Sequence, residues 1–199
     1  MEELVSRLAE AVIGETFNFY RDGDGAETRR ERLLGYLRTR EYAALLLVGE
    51  AAGYRGARVS GVPFTSERQL TGAGPAEASA TIVHRVLAEL GIEDDVLLWN
   101  VVPTHPGTER SNRRPTKAEV EAGLPYLHEL ACGRRAIAVG RLAHSVLGGR
   151  YVRHPSHGGA AAFRAGMHEG IAGAAVSRSG GAPVGAPRKM ICTTVLTRR

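Results

Sequence analysis

Ala43-Ala-Leu-Leu-Leu-Val-Gly49 is an unbroken apolar run that stops at a glycine, and Glu50-Ala-Ala-Gly53 follows it. A run this short and this apolar reads as a strand buried on both faces of a parallel sheet. The same form returns at Val96-Leu-Leu-Trp-Asn-Val-Val102, at Ala136-Ile-Ala-Val-Gly140 and, more weakly, at Tyr151–Arg153. Helical patterns lie between and before these runs. Leu4, Val5, Leu8, Ala11 and Val12 share one stripe that Gly14 would end, and Leu33, Leu34 and Leu37 mark a helix over 27–38. Pro75 suits a first-turn position ahead of Ile82, Val83, Val86, Leu87 and Leu90, with Gly91 as a stop. Thr116-Lys-Ala-Glu119 is a capping box opening a helix with Val120, Leu124, Leu127 and Leu130, and a short helix follows over 142–147. Alternation of this kind predicts an α/β fold, a three-layer α/β/α sandwich around a central, mostly parallel four-stranded sheet.

At 199 residues the chain is expected to form one domain with a core large enough to need no staples. Cys132 and Cys192 lie far apart with no metal-ligand or redox spacing, which excludes a disulfide scaffold. No apolar run approaches the roughly 20 residues of a membrane span. The first seventeen residues carry acids and no apolar segment of a secretory signal, so a soluble cytoplasmic protein is expected. The net charge of +5 invites a nucleic-acid reading, but it sits in residues 170–199, where Arg178, Arg188, Lys189, Arg198 and Arg199 meet no acid. The expected organisation is a domain over 1–169, with 1–40 as an N-terminal helical segment. Residues 170–199 then form a Gly/Ala/Arg-rich basic tail, expected to be mobile, to which Met190–Leu196 could add a short strand.

Open α/β sheets bind ligands at the carboxyl ends of their strands. Four segments are therefore read for chemistry: 49–54, 100–106, Gly140-Arg141 and 153–159. Taken alone, each has an ordinary reading. Gly49-Glu-Ala-Ala-Gly53 is neither G-x-G-x-x-G nor a P-loop, asparagine commonly ends strands, and His154-Pro-Ser156 makes a rigid turn.

Taken together and in order, these segments resemble the uracil-DNA glycosylase superfamily. Gly49-Glu-Ala-Ala-Gly53 is similar to the Gly-Glu-Ala-Pro-Gly of its iron–sulfur, thermophile-type branch, and Gly61-Val-Pro-Phe64 to that branch's Gly-x-Pro-Phe. Leu97-Leu-Trp-Asn-Val-Val102 resembles the strand carrying a base-reading asparagine. Asn112-Arg-Arg-Pro-Thr116, Pro125-Tyr-Leu127 and His154-Pro-Ser156 match further segments, so the likeness spans about residues 42–165. The chain departs from the branch in its cysteines. Gly123 stands where a cluster cysteine is placed, and Cys132 and Cys192 cannot hold a cluster, so no cofactor and no metal are expected. His157-Gly-Gly159 lacks an apolar wedge, and Gly53 replaces the tyrosine that excludes thymine's methyl in the uracil-specific branch.

The resemblance implies a monofunctional glycosylase acting in base-excision repair on a base flipped out of DNA, since the only lysines are Lys117 and Lys189. Glu50 would activate water or stabilise the oxocarbenium-like sugar, and His154 would donate to O2 of the departing uracilate. Asn100 would pair with N3–H and O4, Phe64 would stack on the base, and backbone groups of Gly49, Ala51 and Gly53 would approach it. Ser66, Arg113, Arg153, Ser156 and His157 are the candidate DNA contacts, with Ser66 and Ser156 equally readable as N-caps. Residues 54–66, 110–117 and 150–164 hold nine basic groups and no acid, which would give a neutral domain a basic face. The partner is then single- or double-stranded DNA bound by a monomer with no membrane role. Two other readings stay open. One is the same fold acting on hypoxanthine, xanthine or a 5-substituted uracil; the other is a non-catalytic binder of uracil or abasic sites.

Overall fold

The computed structural model describes residues 1–175. Among the described residues there are six strands: β1 (Leu45–Ala51), β2 (Val96–Val102), β3 (Gly107–Thr108), β4 (Ser111–Asn112), β5 (Arg135–Val139) and β6 (Arg150–Val152). The helices are α1 (Glu2–Glu10), α2 (Ala26–Thr39), α3 (Ala57–Ser60), α4 (Glu67–Thr71), α5 (Ala78–Glu89), α6 (Lys117–Ala131), α7 (Arg141–Leu147) and α8 (Ala160–Ala175). The central sheet has the order β2-β1-β5-β6 with every pairing parallel, and β3 and β4 form a small antiparallel hairpin. No helix among the described residues is long and apolar enough to cross a membrane.

The period of two along each strand divides the core into two layers. Leu47, Val96, Leu98, Ile137, Val139 and Val152 face Val83, Val86 and Leu87 of α5 and Phe163 and Met167 of α8. Their neighbours Leu46, Val48, Leu97, Trp99, Val101 and Ala138 face the other way. There Leu4 and Leu8 of α1, Leu33 and Leu37 of α2, Leu127 and Leu130 of α6 and Ala143 of α7 cover them. The N-terminal helices thus belong to the same core as the sheet. At the β2 edge, the Leu98 amide donates to the Tyr36 hydroxyl at 2.6 Å, so α2 also caps an open strand edge.

Four details differ from the sequence-based expectation. β1 continues past Gly49 because its ladder with β2 runs on to Ala51 opposite Val102, which puts Glu50 inside a strand. Pro75 precedes α5 by three residues instead of opening it. Ser66 and Gln69 form a capping box on α4, a helix the apolar pattern did not reveal. Finally, α8 crosses the expected domain boundary at 169 and runs to Ala175. Its Ala/Gly-rich composition resembles a tail, yet Phe163 and Met167, one turn apart, bury fully, and Gly166 lets the helix close on Val152. The expectations for Met190–Leu196 and for the remaining basic tail lie outside the described residues.

One buried charge ties the layers at the β2 side. Glu119 is 1% exposed and receives the Arg113 guanidinium in a two-pronged pair at 2.8 and 2.5 Å. It also closes the capping box, accepting from the Thr116 amide at 2.8 Å. Gly14, at φ +55°, lies so close that a Cβ there would sit 2.6 Å from the Glu119 Cγ. The hydrogen bonds from Arg113, aided by the Thr116 amide and opposed by burial, hold the Glu119 carboxyl down at about 2. A carboxylate held this low contributes stability that is complete above its ordinary value near 4.5 and is lost as pH falls toward 2. Replacing Glu119 with glutamine should cost about 3 kcal/mol at pH 7 by urea denaturation. That difference from wild type should narrow steadily between pH 5 and pH 2; a pH-independent difference would show that Glu119 acts through packing alone.

Candidate active site

The carboxyl ends of β1, β2, β5 and β6 converge on a cavity of about 530 Å³. Glu50, Ala51, Gly53, Phe64, Asn100, Arg113, His154, Ser156 and His157 all line it. These residues come from five separate parts of the chain. Gly49 sits beneath them, and a Cβ there would lie 2.4 Å from the Phe64 ring and 2.8 Å from Asn100 Oδ1. Only glycine lets the aromatic face and the carboxamide meet over β1 at this point.

Phe64 reaches that position through a strained backbone. Its φ of +53° is rare for an aromatic residue, and the strain is held by a ring of local bonds. Ser60 Oγ donates to the Thr65 carbonyl at 2.6 Å and accepts from the Val62 amide at 3.1 Å, while the Tyr20 hydroxyl donates to the Gly61 carbonyl at 2.9 Å. Asn100 is 4% exposed, and its carboxamide finds no hydrogen-bond partner among the described residues. A buried amide left open in a cavity is poised to pair with whatever enters it.

His154 is oriented by its own loop. The Ser156 backbone N–H donates to His154 Nδ1 at 3.1 Å, so that nitrogen carries a lone pair and the ring proton is on Nε2. Ser156 Oγ lies 2.7 Å from the same nitrogen and 3.0 Å from His157 Nδ1. Burial, reinforced by the neighbouring His157, lowers the His154 pKa below its ordinary 6.5, so the ring is a neutral Nε2–H donor at neutral pH. Glu50 is shifted the other way: burial raises its carboxyl above 4.5, and Arg114 partly offsets the rise. The cavity therefore holds an acceptor carboxylate, a neutral imidazole donor, an unpaired amide and an aromatic face.

Several candidates have other roles. Ser66 is fully buried and bonds Gln69 Oε1 at 2.7 Å as the α4 cap, so its hydroxyl is not a DNA contact. Arg113 lines the cavity, but its guanidinium is committed to Glu119, and Arg114 is the cation that acts on Glu50. Ser156 precedes α8 by four residues and serves His154 rather than capping that helix. Arg153 lies on an adjoining shelf with Arg141 and Tyr151. Thr104 and His105 are fully buried; the His105 ring nitrogens meet the carbonyls of Ala52 and Thr108 at 2.7 and 2.8 Å, bolting the loop after β1 to the β3 turn.

Glu77, Ser79, Asn112, Arg114 and Arg141 also line the cavity and were not among the candidates. Arg114 and Arg141 had a signal, one in a basic run and the other directly after a strand-end glycine. Glu77 had none, because an acid ahead of a helix is ordinary.

The iron–sulfur cluster of the resembling branch does not fit these residues. A Cβ at Gly123 would lie 2.2 Å from the Val101 carbonyl oxygen, so α6 rests directly on β2 where a cysteine ligand would need room. No group of three or more His, Cys, Asp or Glu among the described residues could hold a metal.

A family model described as the uracil DNA glycosylase superfamily matches residues 38–180. No curated protein sequence matches the chain. Among solved structures, the crystal structure of wild-type SMUG2 from Pedobacter heparinus superposes with a TM-score of 0.62 at 14% identity, covering 89% of this chain and 98% of that one. At that identity the likeness is one of fold.

The opposed causes acting on Glu50 are separable by titration. Because Arg114 lowers the Glu50 pKa, Arg114→Gln should move the Glu50 midpoint further above 4.5 when followed by carboxyl-carbon NMR. A midpoint that falls or stays put would mean that Arg114 does not act on Glu50.

Proposed function

Because the chain belongs to the uracil DNA glycosylase superfamily, we propose that it is a monofunctional DNA glycosylase that hydrolyses the N-glycosidic bond of uracil flipped out of DNA. The observation that carries this reading is the convergence of Glu50, Asn100, Phe64 and His154 on one cavity. A base in a duplex is stacked and its glycosidic carbon is screened, so the nucleotide must swing out to reach these groups.

In the cavity the base lies against Phe64, a contact worth about 1–3 kcal/mol. Asn100 donates to O4 and accepts from N3–H, a pattern that cytosine reverses at position 4 and cannot complete at N3. As the bond from C1′ to N1 breaks, its electron pair moves onto the base and spreads to O2. The His154 Nε2–H donates to that oxygen, and a preorganised donor of this kind is typically worth about 2.7–4 kcal/mol in the transition state. Glu50 faces the sugar side. Its carboxylate orients water, takes the water proton as oxygen bonds to C1′, and stabilises the positive charge developing on the sugar. Among the described residues no lysine lines the cavity to form a Schiff base: Lys117 is exposed and pairs with Glu121.

Contacts to DNA phosphates need cations that are not already paired. Of the nine basic groups in the three acid-free segments, Arg58, Arg113, Lys117, Arg150 and Arg164 each meet a carboxylate. Arg55, Arg110, Arg114 and Arg153 do not; of these Arg114 lines the cavity together with Arg141, and Arg153 lies on the adjoining shelf. The unpaired cations are therefore fewer than the sequence suggests, and Arg114, Arg141 and Arg153 are the ones at the cavity and its shelf.

Strand scission at abasic sites, read on gels after alkali, tests the reading with uracil in single strands, U:G and U:A pairs and with hypoxanthine and xanthine in parallel. Uracil should be released, and Glu50→Gln should lower the rate by about 10²–10⁴-fold while duplex binding stays within threefold. Release of no base from any substrate would favour a non-catalytic binder, and release of purine bases alone would reassign the substrate. Binding should also weaken with salt. Arg141→Gln or Arg153→Gln should each reduce the slope of log K against log salt by about one, whereas Arg150→Gln, already paired with Glu169, should not.

A further inference from the structure

Glu77 is the one acid of the cavity for which the reaction above has no use. It lies one residue ahead of α5, and its backbone carbonyl is pinned by the Thr81 amide at 3.0 Å and the Thr81 hydroxyl at 3.1 Å. The side chain turns into the cavity over two glycines. A Cβ at Gly53 would lie 2.0 Å from one carboxyl oxygen, and a Cβ at Gly56 would lie 2.1 Å from the other. The carboxyl thus fills the room those glycines leave. No side-chain cap bond engages it, and burial alone shifts its pKa, upward. The other well-buried acids differ: Glu119 has Arg113 and Glu67 has Arg32. A desolvated carboxyl without a partner is costly unless a ligand supplies one.

The sheet order says which part of the ligand that is. His154 follows β6, and Asn100 lies in β2 at the opposite edge. The Ala52 amide donates to the Val102 carbonyl at 3.3 Å, which carries the loop after β1, and Gly53 with it, toward β2. Glu77 therefore bounds the cavity on the Asn100 side. A pyrimidine with O2 at His154 and its N3–O4 edge at Asn100 turns its C5 edge to Glu77.

We propose that Glu77 is a specificity-determining residue that reads the substituent at C5, accepting a group that carries an O–H or N–H donor and rejecting a methyl of similar reach. This rests on the glycosylase reading of the same cavity. A methyl there would strip water from the carboxyl and give no bond in return, whereas a hydroxymethyl would donate to it. Sites built to hydrogen-bond a substrate reject the analogue lacking the donor far more strongly than apolar pockets reject a methylene. Ionised or neutral, the carboxyl keeps an acceptor oxygen, so the discrimination does not depend on its protonation.

Single-turnover release of 5-hydroxymethyluracil and of thymine, each opposite guanine, provides the test, with uracil opposite guanine as reference. Wild type should release the hydroxymethyl base at least tenfold faster than thymine. Glu77→Leu should bring that ratio to within threefold of one, and Glu77→Gln, which keeps an acceptor oxygen, should preserve most of it. A wild-type ratio near one, or a ratio unchanged in Glu77→Leu, overturns the assignment. Release of no base, uracil included, is instead a failure of the glycosylase reading. Calorimetric binding of the two free bases then decides about Glu77: a preference for 5-hydroxymethyluracil over thymine that is lost in Glu77→Leu supports it, and no preference overturns it.

Discussion

The register of β1 on β2 is the constraint from which the site follows. Pairing Gly49 with Asn100 places the one residue without a side chain beside the one amide that the core leaves unpaired. Phe64 closes over that gap from the other side, and a Cβ at position 49 would strike both it and Asn100. A slip of one residue would reverse every side chain in β1, turning Leu46 and Val48 to the wrong layer and Glu50 away from the cavity. The apolar residues that fix the core therefore also fix where the carboxylate points.

Two buried polar hubs hold the loops around this edge without taking part in chemistry. Glu119 joins Arg113, the first turn of α6 and the turn at Gly14. His105 joins the loop after β1 to the β3 turn, and its backbone pairs with Phe17. Loops with little apolar surface to bury need such fixed points, and a fully bonded polar group in a low-dielectric setting supplies them. They explain why the N-terminal segment matters to the pocket although none of its residues lines it.

The electrostatics of the cavity separate two roles by environment. Burial raises the Glu50 carboxyl while Arg114 restrains the rise, and burial lowers the His154 imidazole while a backbone amide fixes its tautomer. A neutral imidazole beside the Glu50 carboxyl forms no ion pair that would quench both. Glu77 is desolvated with no cation to restrain it.

Much of this was legible in the chain itself. Apolar runs of strand length, separated by helical stripes, determine the three-layer fold, since a strand buried on both faces has no other way to satisfy its surface. The ordered motifs around Glu50, Asn100 and His154 and the Thr116–Glu119 capping box were also readable, because each is a local pattern or sits at a strand end. Contacts between distant segments were not. Nothing local distinguishes Arg113, spent on Glu119, from Arg114, which acts on Glu50, nor the buried Ser66 from an exposed one. The helix at 160–175 was hidden because its support is Val152 and α5 rather than its own composition. Glu77 became significant only when folding laid its carboxyl over Gly53 and Gly56. Sequence by itself determined which residues are apolar and at what period, and hence the layers. Tertiary structure alone decided which charges are paired and which face the cavity, because pairing and desolvation depend on neighbours that the linear order does not specify.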